Sequence, residues 1–223
     1  MRDDAREEIL AQIRAGLAGG DPVPQNDQAA TSSPQLVKRV RPRISEDAHA
    51  VFIGAAERNG IQVRHVSGRA DIPELIDTMC GPVPDRGGIF IAPSLSSLEW
   101  PQQWQIGTGK ANPETKICVT EALTAVAETG TLVFCSGDDA PSAMNFVPET
   151  HVAVITEDRI VRHLEDAFQL IGRLRPFPRA VNFISGPSRT ADVGGIVVRP
   201  AHGPKSVFLL IVRAASHLQH REQ

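Results

Sequence analysis

The chain has 223 residues, 41% of them apolar, with 23 Lys and Arg against 26 Asp and Glu for a net charge of -3. That length can bury one sizeable core, and the near-balanced charge speaks against nucleic-acid binding, which needs a strong basic field. No apolar run reaches the ~18 residues of a membrane span, and the charged start MRDDAREEILAQIRAGL lacks a signal-peptide stretch, so a cytoplasmic protein is expected.

Taken in chain order, residues 2–17 predict an amphipathic helix, with Ile9, Leu10, Ile13 and Leu17 at helical spacing. The Gly/Pro-rich GGDPVPQNDQAATSSP that follows reads as a linker, and KRVRPR at 38–43 as a solvated basic cluster. The expected organisation is a helix over 1–18, a linker over 19–43 and an α/β domain over 44–223. Ser45 is the expected cap of the next helix, with Glu46 and Asp47 in its first turn and Ala48, Val51, Phe52, Ala55 and Ala56 on its apolar face. Asn59-Gly60 ends it. IQVRHV (61–66) predicts a strand, DIPELIDTMC a helix with Pro73 in its first turn, and GIFIAPS a strand. Residues 95–115, with both tryptophans, read as irregular.

KICVT (116–120) is the next expected strand, EALTAVA a brief helix, ETGTLVFCSG a strand, GDDAPSAMN a polar loop and HVAVIT (151–156) a strand. DRIVRHLEDAFQLIGRLR predicts one long helix with Ile160, Val161, Leu164, Phe168, Ile171 and Leu174 on one face. AVNFIS, GIVVRP and KSVFLLIV are the last expected strands. Apolar strands separated by helices imply a mostly parallel open sheet covered by helices, and the crowding of strands after residue 181 implies an antiparallel edge.

Three stretches carry candidate chemistry. GPSRTAD (186–192) follows the carboxyl end of a predicted strand, where open α/β sheets place ligand crevices. Gly186 allows close backbone approach, Ser188 and Thr190 offer hydroxyls, Arg189 offers a fork for a carboxylate or phosphate, and Asp192 can orient that Arg. A capped loop, with Thr190 and Asp192 serving backbone amides, explains these residues equally well. In AETGTLV, Glu128 stands at a strand's entrance beside Thr129, Gly130 and Thr131; it is a candidate nucleophile or base, or else a hydrogen-bonded turn acid. Asp138, Asp139 and Glu149 are enough carboxylates to hold Mg²⁺ or Ca²⁺, yet their spacing matches no dedicated loop and a solvated loop is the better reading.

The other residues exclude more than they suggest. Cys80, Cys118 and Cys135 are three and unpaired in sequence, so a disulfide framework or an iron–sulfur cluster held by this chain alone is not expected. His151 and His202 fit no zinc spacing and read as structural; no metal is expected. GxGxxG, GxxxxGK[ST] and GxSxG are all absent, and with no tyrosine a catalytic phenol is excluded.

REEILAQIRAGL, TEALTAVAETGTLV, FVPETHVAVI and ISGPSRTADV with HGPKSVFLLIV follow one another in the order found in LUD-domain proteins. The chain resembles that family, and within it the lactate utilization protein C type. The resemblance implies a fold like that of the NagB/RpiA/CoA-transferase superfamily. It also implies a part in oxidising L-lactate to pyruvate beside two partner subunits that carry the iron–sulfur clusters, and a small anionic metabolite as ligand. The motif positions Glu128 to Thr131 and Gly186 to Asp192 carry over; roles for them do not. Two departures stand out: Val193-Gly194-Gly195 replaces the family's Ile-Glu after the Asp, and Glu121 stands where relatives have glycine, at the start of the expected short helix. Three functions follow: a subunit of a lactate-oxidising system that need not be catalytic by itself, a stand-alone enzyme of the CoA-transferase or sugar-phosphate isomerase kind with Glu128 as nucleophile or base and Arg189 as anion clamp, or a metabolite-sensing module. Fold analogy alone does not choose among them.

Overall fold

The computed structural model describes residues 3–18, 41–80, 88–108, 111, 114–137, 140–193, 196–198 and 203–213. The chain divides into two compact units, Met1–Arg41 and Pro42–Gln223. In the first, helix α1 spans Asp3–Ala18 and leaves Ile9 exposed. Most of the expected linker, residues 19–40, lies outside the described residues.

The second unit is an α/β domain. Helix α2 (Ala48–Arg58) leads into β1 (Ile61–Val66), then α3 (Ile72–Cys80), β2 (Ile89–Ile91), β3 (Ile106–Thr108) and β4 (Ile117–Glu121). A hairpin of β5 (Thr124–Val126) and β6 (Thr131–Cys135) follows, then α4 (Ala143–Phe146), β7 (Thr150–Thr156), β8 (Ile160–Val161) and α5 (Leu164–Gly172). The chain continues through β9 (Val181–Ile184), β10 (Thr190–Val193), β11 (Ile196–Val198) and β12 (Ser206–Val212).

Six strands form one parallel sheet in the order β1-β12-β7-β4-β2-β3. Antiparallel pairing lies outside it. It holds β5, β6 and β9 in a second sheet of order β8-β5-β6-β9, and joins β10 to β11 in a ribbon. The side chains alternate across the main sheet, as a period of two requires. Val152, Val154, Leu210 and Val212 face α3 and Trp104. Ala153, Ile155, Leu209 and Ile211 face α2 and the small sheet, where Phe52, Ala56, Leu132 and Phe134 meet them. The other side of the small sheet packs Val126 and Val133 against Ala167 and Ile171 of α5.

Three expected elements come out differently, each for a local reason. EALTAVA is not a helix: it closes β4 and forms β5. Ala122 and Thr124 to Ala127 are all buried, so no polar face remains for a surface helix to turn outward. The long helix expected over 158–175 is also cut short. The β-branched Ile160 and Val161 add to the small sheet beside Ala125 and Val126, so α5 begins only at Leu164 and Phe168 is 54% exposed. Ser45 does not cap α2. The Arg162 guanidinium donates to the carbonyls of Ile44, Ser45 and Glu46, which holds that segment out of the helix, and Asp47 Oδ1 accepts the Ala50 N–H instead. Among the described residues, no helix is long and apolar enough to cross a membrane.

Phe52 is fully buried where α2 meets both sheets. Phe52→Ala is expected to cost about 3–5 kcal/mol in urea unfolding. Phe168 is half exposed and its ring contacts that of Phe183, so Phe168→Ala is expected to cost less than about 1.5 kcal/mol.

Candidate functional site

The turns of AETGTLV and GPSRTAD meet at one place, the C-terminal end of α2. Gly130 has φ +64, and a Cβ there would sit 2.4 Å from the Ala56 nitrogen and 2.5 Å from the Ala55 carbonyl carbon. Gly186 has φ +115, and its Cβ would meet the Asn59 carbonyl oxygen at 2.3 Å. Both turns therefore press backbone on backbone, which only glycine permits. Asn59 Nδ2 donates to the Thr129 carbonyl (2.8 Å) and Arg189 Nη2 to the Asn59 carbonyl (2.6 Å). The buried Thr131 hydroxyl joins the two turns, bonding Thr129 Oγ1 and Ser185 Oγ at 2.7 Å each.

Glu128 faces α5. Its Oε1 accepts the Leu164 N–H at 2.8 Å and its Oε2 bonds His163 Nδ1 at 2.9 Å, with both side chains largely buried. Burial pushes the carboxyl up, but the His163 and Leu164 hydrogen bonds outweigh it and hold the group below the usual glutamate range. The geometry is that of an anion at a helix N-terminus, complementing the dipole.

A second set of residues gathers at the carboxyl ends of the parallel strands, where sheets of this kind open a crevice. Arg69 follows β1, Ser94 follows β2, Glu121 ends β4 and Arg159 follows β7. Arg69 Nη1 bonds Glu121 Oε1 at 2.5 Å and its Nη2 donates to the Ser94 carbonyl at 3.2 Å. Burial raises the Glu121 carboxyl, yet hydrogen bonds from Arg69 and Ser94 and the charges of Arg69 and Arg159 bring it below its ordinary value. Two guanidiniums thus share one carboxylate, an excess of positive charge at the rim of two adjoining clefts. One, of about 190 Å³, is lined by Ser94, Thr120, Glu121 and Asn145; the other, of about 480 Å³, by Arg69, Glu121, Thr156 and Arg159.

The floor of the smaller cleft continues into a buried polar chain. Thr120 Oγ1 donates to Asn145 Oδ1 (3.1 Å) and lies 2.7 Å from His151 Nε2. With the threonine proton given to Asn145, His151 donates from Nε2 and its Nδ1 is left as a buried lone pair without a partner. Desolvation drives the His151 pKa down to about 4, so the ring is neutral at physiological pH. Asn145 also borders a third cleft, of about 250 Å³, with Ser185, Gly186, Ser188 and Pro204.

Of the sequence candidates, Thr129, Gly130, Thr131, Gly186 and Arg189 are brought together around α2, Ser188 lines the third cleft, and Glu128 stands apart with His163. The side chains of Thr190 and Asp192, and Gly194, Gly195, His202, Asp138 and Asp139, lie outside the described ones. Glu149 pairs with Lys116 and Lys205. Glu121 is not at a helix start but at a strand end, in the ion pair with Arg69. Burial raises all three cysteine thiols, Cys118 to about 12, which keeps them protonated. The Arg69–Glu121 pair and the Thr120–Asn145–His151 chain are missing from the sequence reading. The one signal in the sequence was Glu121 itself, an acid where the resemblance implies a glycine.

Residues 108–212, just under half of the chain, match the LUD domain. The chain is 34% identical over 113 residues to lactate utilization protein C of Anoxybacillus flavithermus, covering 48% of this chain and 51% of that protein. It is 29% identical over 128 residues to the protein of that name from a Geobacillus strain, covering 51% and 53%. Against these two the chain spans about half of the relative's length. Against lactate utilization protein C of Deinococcus radiodurans the identity is 26% over 220 residues, covering 94% of this chain and 96% of that protein. The fold is similar to the crystal structure of a DUF162 family protein from Deinococcus radiodurans, with a TM-score of 0.58 at 18% identity over 77% of this chain and 99% of that one. Residues 108–212 are thus similar to the LUD domain, and the chain along nearly its whole length to the Deinococcus lactate utilization protein C.

Because the native Glu128 carboxyl titrates below its unfolded value of about 4.3, it adds stability above that pH and loses it as pH falls through the native pKa. Glu128→Gln is therefore expected to be less stable than the parent near neutral pH, with the gap closing as pH falls below about 4. Urea unfolding across that range, read by circular dichroism, measures it; a gap that does not change with pH contradicts the assignment.

Proposed function

We propose that the chain is a lactate utilization protein C-type subunit that acts in the oxidation of L-lactate to pyruvate beside iron–sulfur partner subunits. In this reading it binds a small anionic metabolite at the carboxyl edge of its parallel sheet. The observation that carries the ligand half is the excess guanidinium charge of Arg69 and Arg159 around Glu121, next to the hydroxyls of Ser94 and Thr120. A hydroxy acid needs a fork for its carboxylate and a neutral partner for its hydroxyl, and that pairing is available there. Similarity to the Deinococcus protein along nearly the whole chain supports the metabolic half.

Glu121, the carboxylate that lines both of the first two clefts, is held below its ordinary value by Arg69, Ser94 and Arg159, which makes it a weak base and favours a binding subunit over a stand-alone transferase. Glu128 fits a nucleophile poorly with both oxygens engaged. A second reading places the ligand in the third cleft, on Ser188 and Gly186. It is favoured by Asn145, which borders that cleft and the first one and so ties both to one polar chain.

Lactate-dependent electron transfer by the reconstituted iron–sulfur subunits is expected to fall by about tenfold or more when this chain is left out. Adding the chain back should restore it. Equal rates with and without the chain would contradict the role.

A further inference from the structure

Among the residues with no part in the clefts, three ligand-bearing side chains converge where α2 begins. His49 is on the first turn of α2, His65 is one residue before the end of β1, and Glu157 directly follows β7. Strands β1 and β7 both pair with β12, in a register that sets His65 against Ile211 and Ile211 against Ile155. Alternation puts these residues on the face that α2 covers, where Ile211 and Ile155 pack with Phe52 and Ala56. One ligand atom from each of His49, His65 and Glu157 lies within 4.8 Å of the other two. The two rings are tilted, with centroids 5.4 Å apart.

A second observation concerns the same His49 ring. His49 Nε2 is shut off from solvent and has no hydrogen-bond partner. A buried imidazole nitrogen left so costs free energy unless something binds it. The backbone that carries it is fixed from both sides. Asp47 caps the helix through the Ala50 N–H, and Arg162 grips the carbonyls of Ile44, Ser45 and Glu46.

The geometry points to a divalent metal site made of His49, His65 and Glu157. Two imidazoles and one carboxylate suit a borderline transition ion, with Zn²⁺ as the reference, and suit Mg²⁺ or Ca²⁺ poorly. The positive end of the α2 dipole opposes a purely electrostatic cation site, a further reason for directed nitrogen bonds. Ligand bonds of about 2.0–2.1 Å in tetrahedral array place ligand atoms about 3.3 Å apart, so the set contracts on binding. The exposed His65 is the ligand with room to move. Three protein ligands leave a fourth position for water or a small anion.

The test is equilibrium dialysis of the untagged full chain with Zn²⁺, followed by Co²⁺ substitution and visible spectroscopy. His65→Ala and Glu157→Gln are the variants, because neither side chain is in the buried core; circular dichroism confirms that each folds. The expected result is one Zn²⁺ per parent chain, an affinity lower by about 100-fold in each variant, and a Co²⁺ spectrum that changes in both. Failure of the parent chain to bind Zn²⁺, or equal binding by the parent and both folded variants, overturns the site.

Discussion

The domain depends on the grip of two glycine turns on the last turn of α2. At Gly130 and Gly186 the backbone of one element lies against the backbone of another at distances that exclude a side chain. One turn leads into β6 and the other leaves β9, neighbours in the small sheet. The contact therefore fixes α2 and the small sheet together over one face of the main sheet. That interlayer space is where Phe52, Ala56, Leu132 and Phe134 bury their surface against Ile155, Leu209 and Ile211. Thr131, Asn59 and Arg189 close the same joint with hydrogen bonds.

This joint changes the meaning of the two motifs. Their pairing is specific because they meet in space, yet most of what they do there is architectural. The groups suited to an anion sit elsewhere, on loops that leave the carboxyl ends of β1, β2, β4 and β7. A scaffold held rigid behind the sheet and a charged rim at its open edge is the division of labour expected of a parallel α/β fold. The buried chain of His151, Thr120 and Asn145 connects the rim to the interlayer space, and a neutral His151 keeps that chain free of an unpaired charge.

The central parallel strands were legible because both of their faces are buried and their apolar runs are continuous, as in HVAVIT and KSVFLLIV; the edge strand IQVRHV is β1 to the residue, with exposed Gln62 and Arg64 alternating with buried Ile61 and Val63. The reading failed where burial on every side erased the period. EALTAVA has helix-forming alanines, but it lies between two packed layers, and pairing with β6 decides its conformation. Ile160 and Val161 have helical spacing to Leu164, but an open place beside β5 takes them first. Ser45 has the chemistry of a cap, and Arg162, 117 residues away, overrides it. The site was harder still. Arg69 and Glu121 are separated by 52 residues and Thr120 and His151 by 31, so only the strand order brings them together. For Glu128 the sequence leaves a nucleophile and a hydrogen-bonded acid both open, because nothing local shows that the start of α5 will take both of its oxygens.

The motif joint is structural, and the proposed anion site belongs to the rim. Calorimetry of L-lactate and pyruvate binding to the parent chain, Arg69→Ala and Arg189→Ala, each checked for unfolding stability, tests this directly. Arg69→Ala is expected to lower affinity by about tenfold or more, in line with a lost charged hydrogen bond. Arg189→Ala should keep the parent's affinity and lose stability instead. Parent-like binding by Arg69→Ala together with lost binding in a stable Arg189→Ala would contradict it.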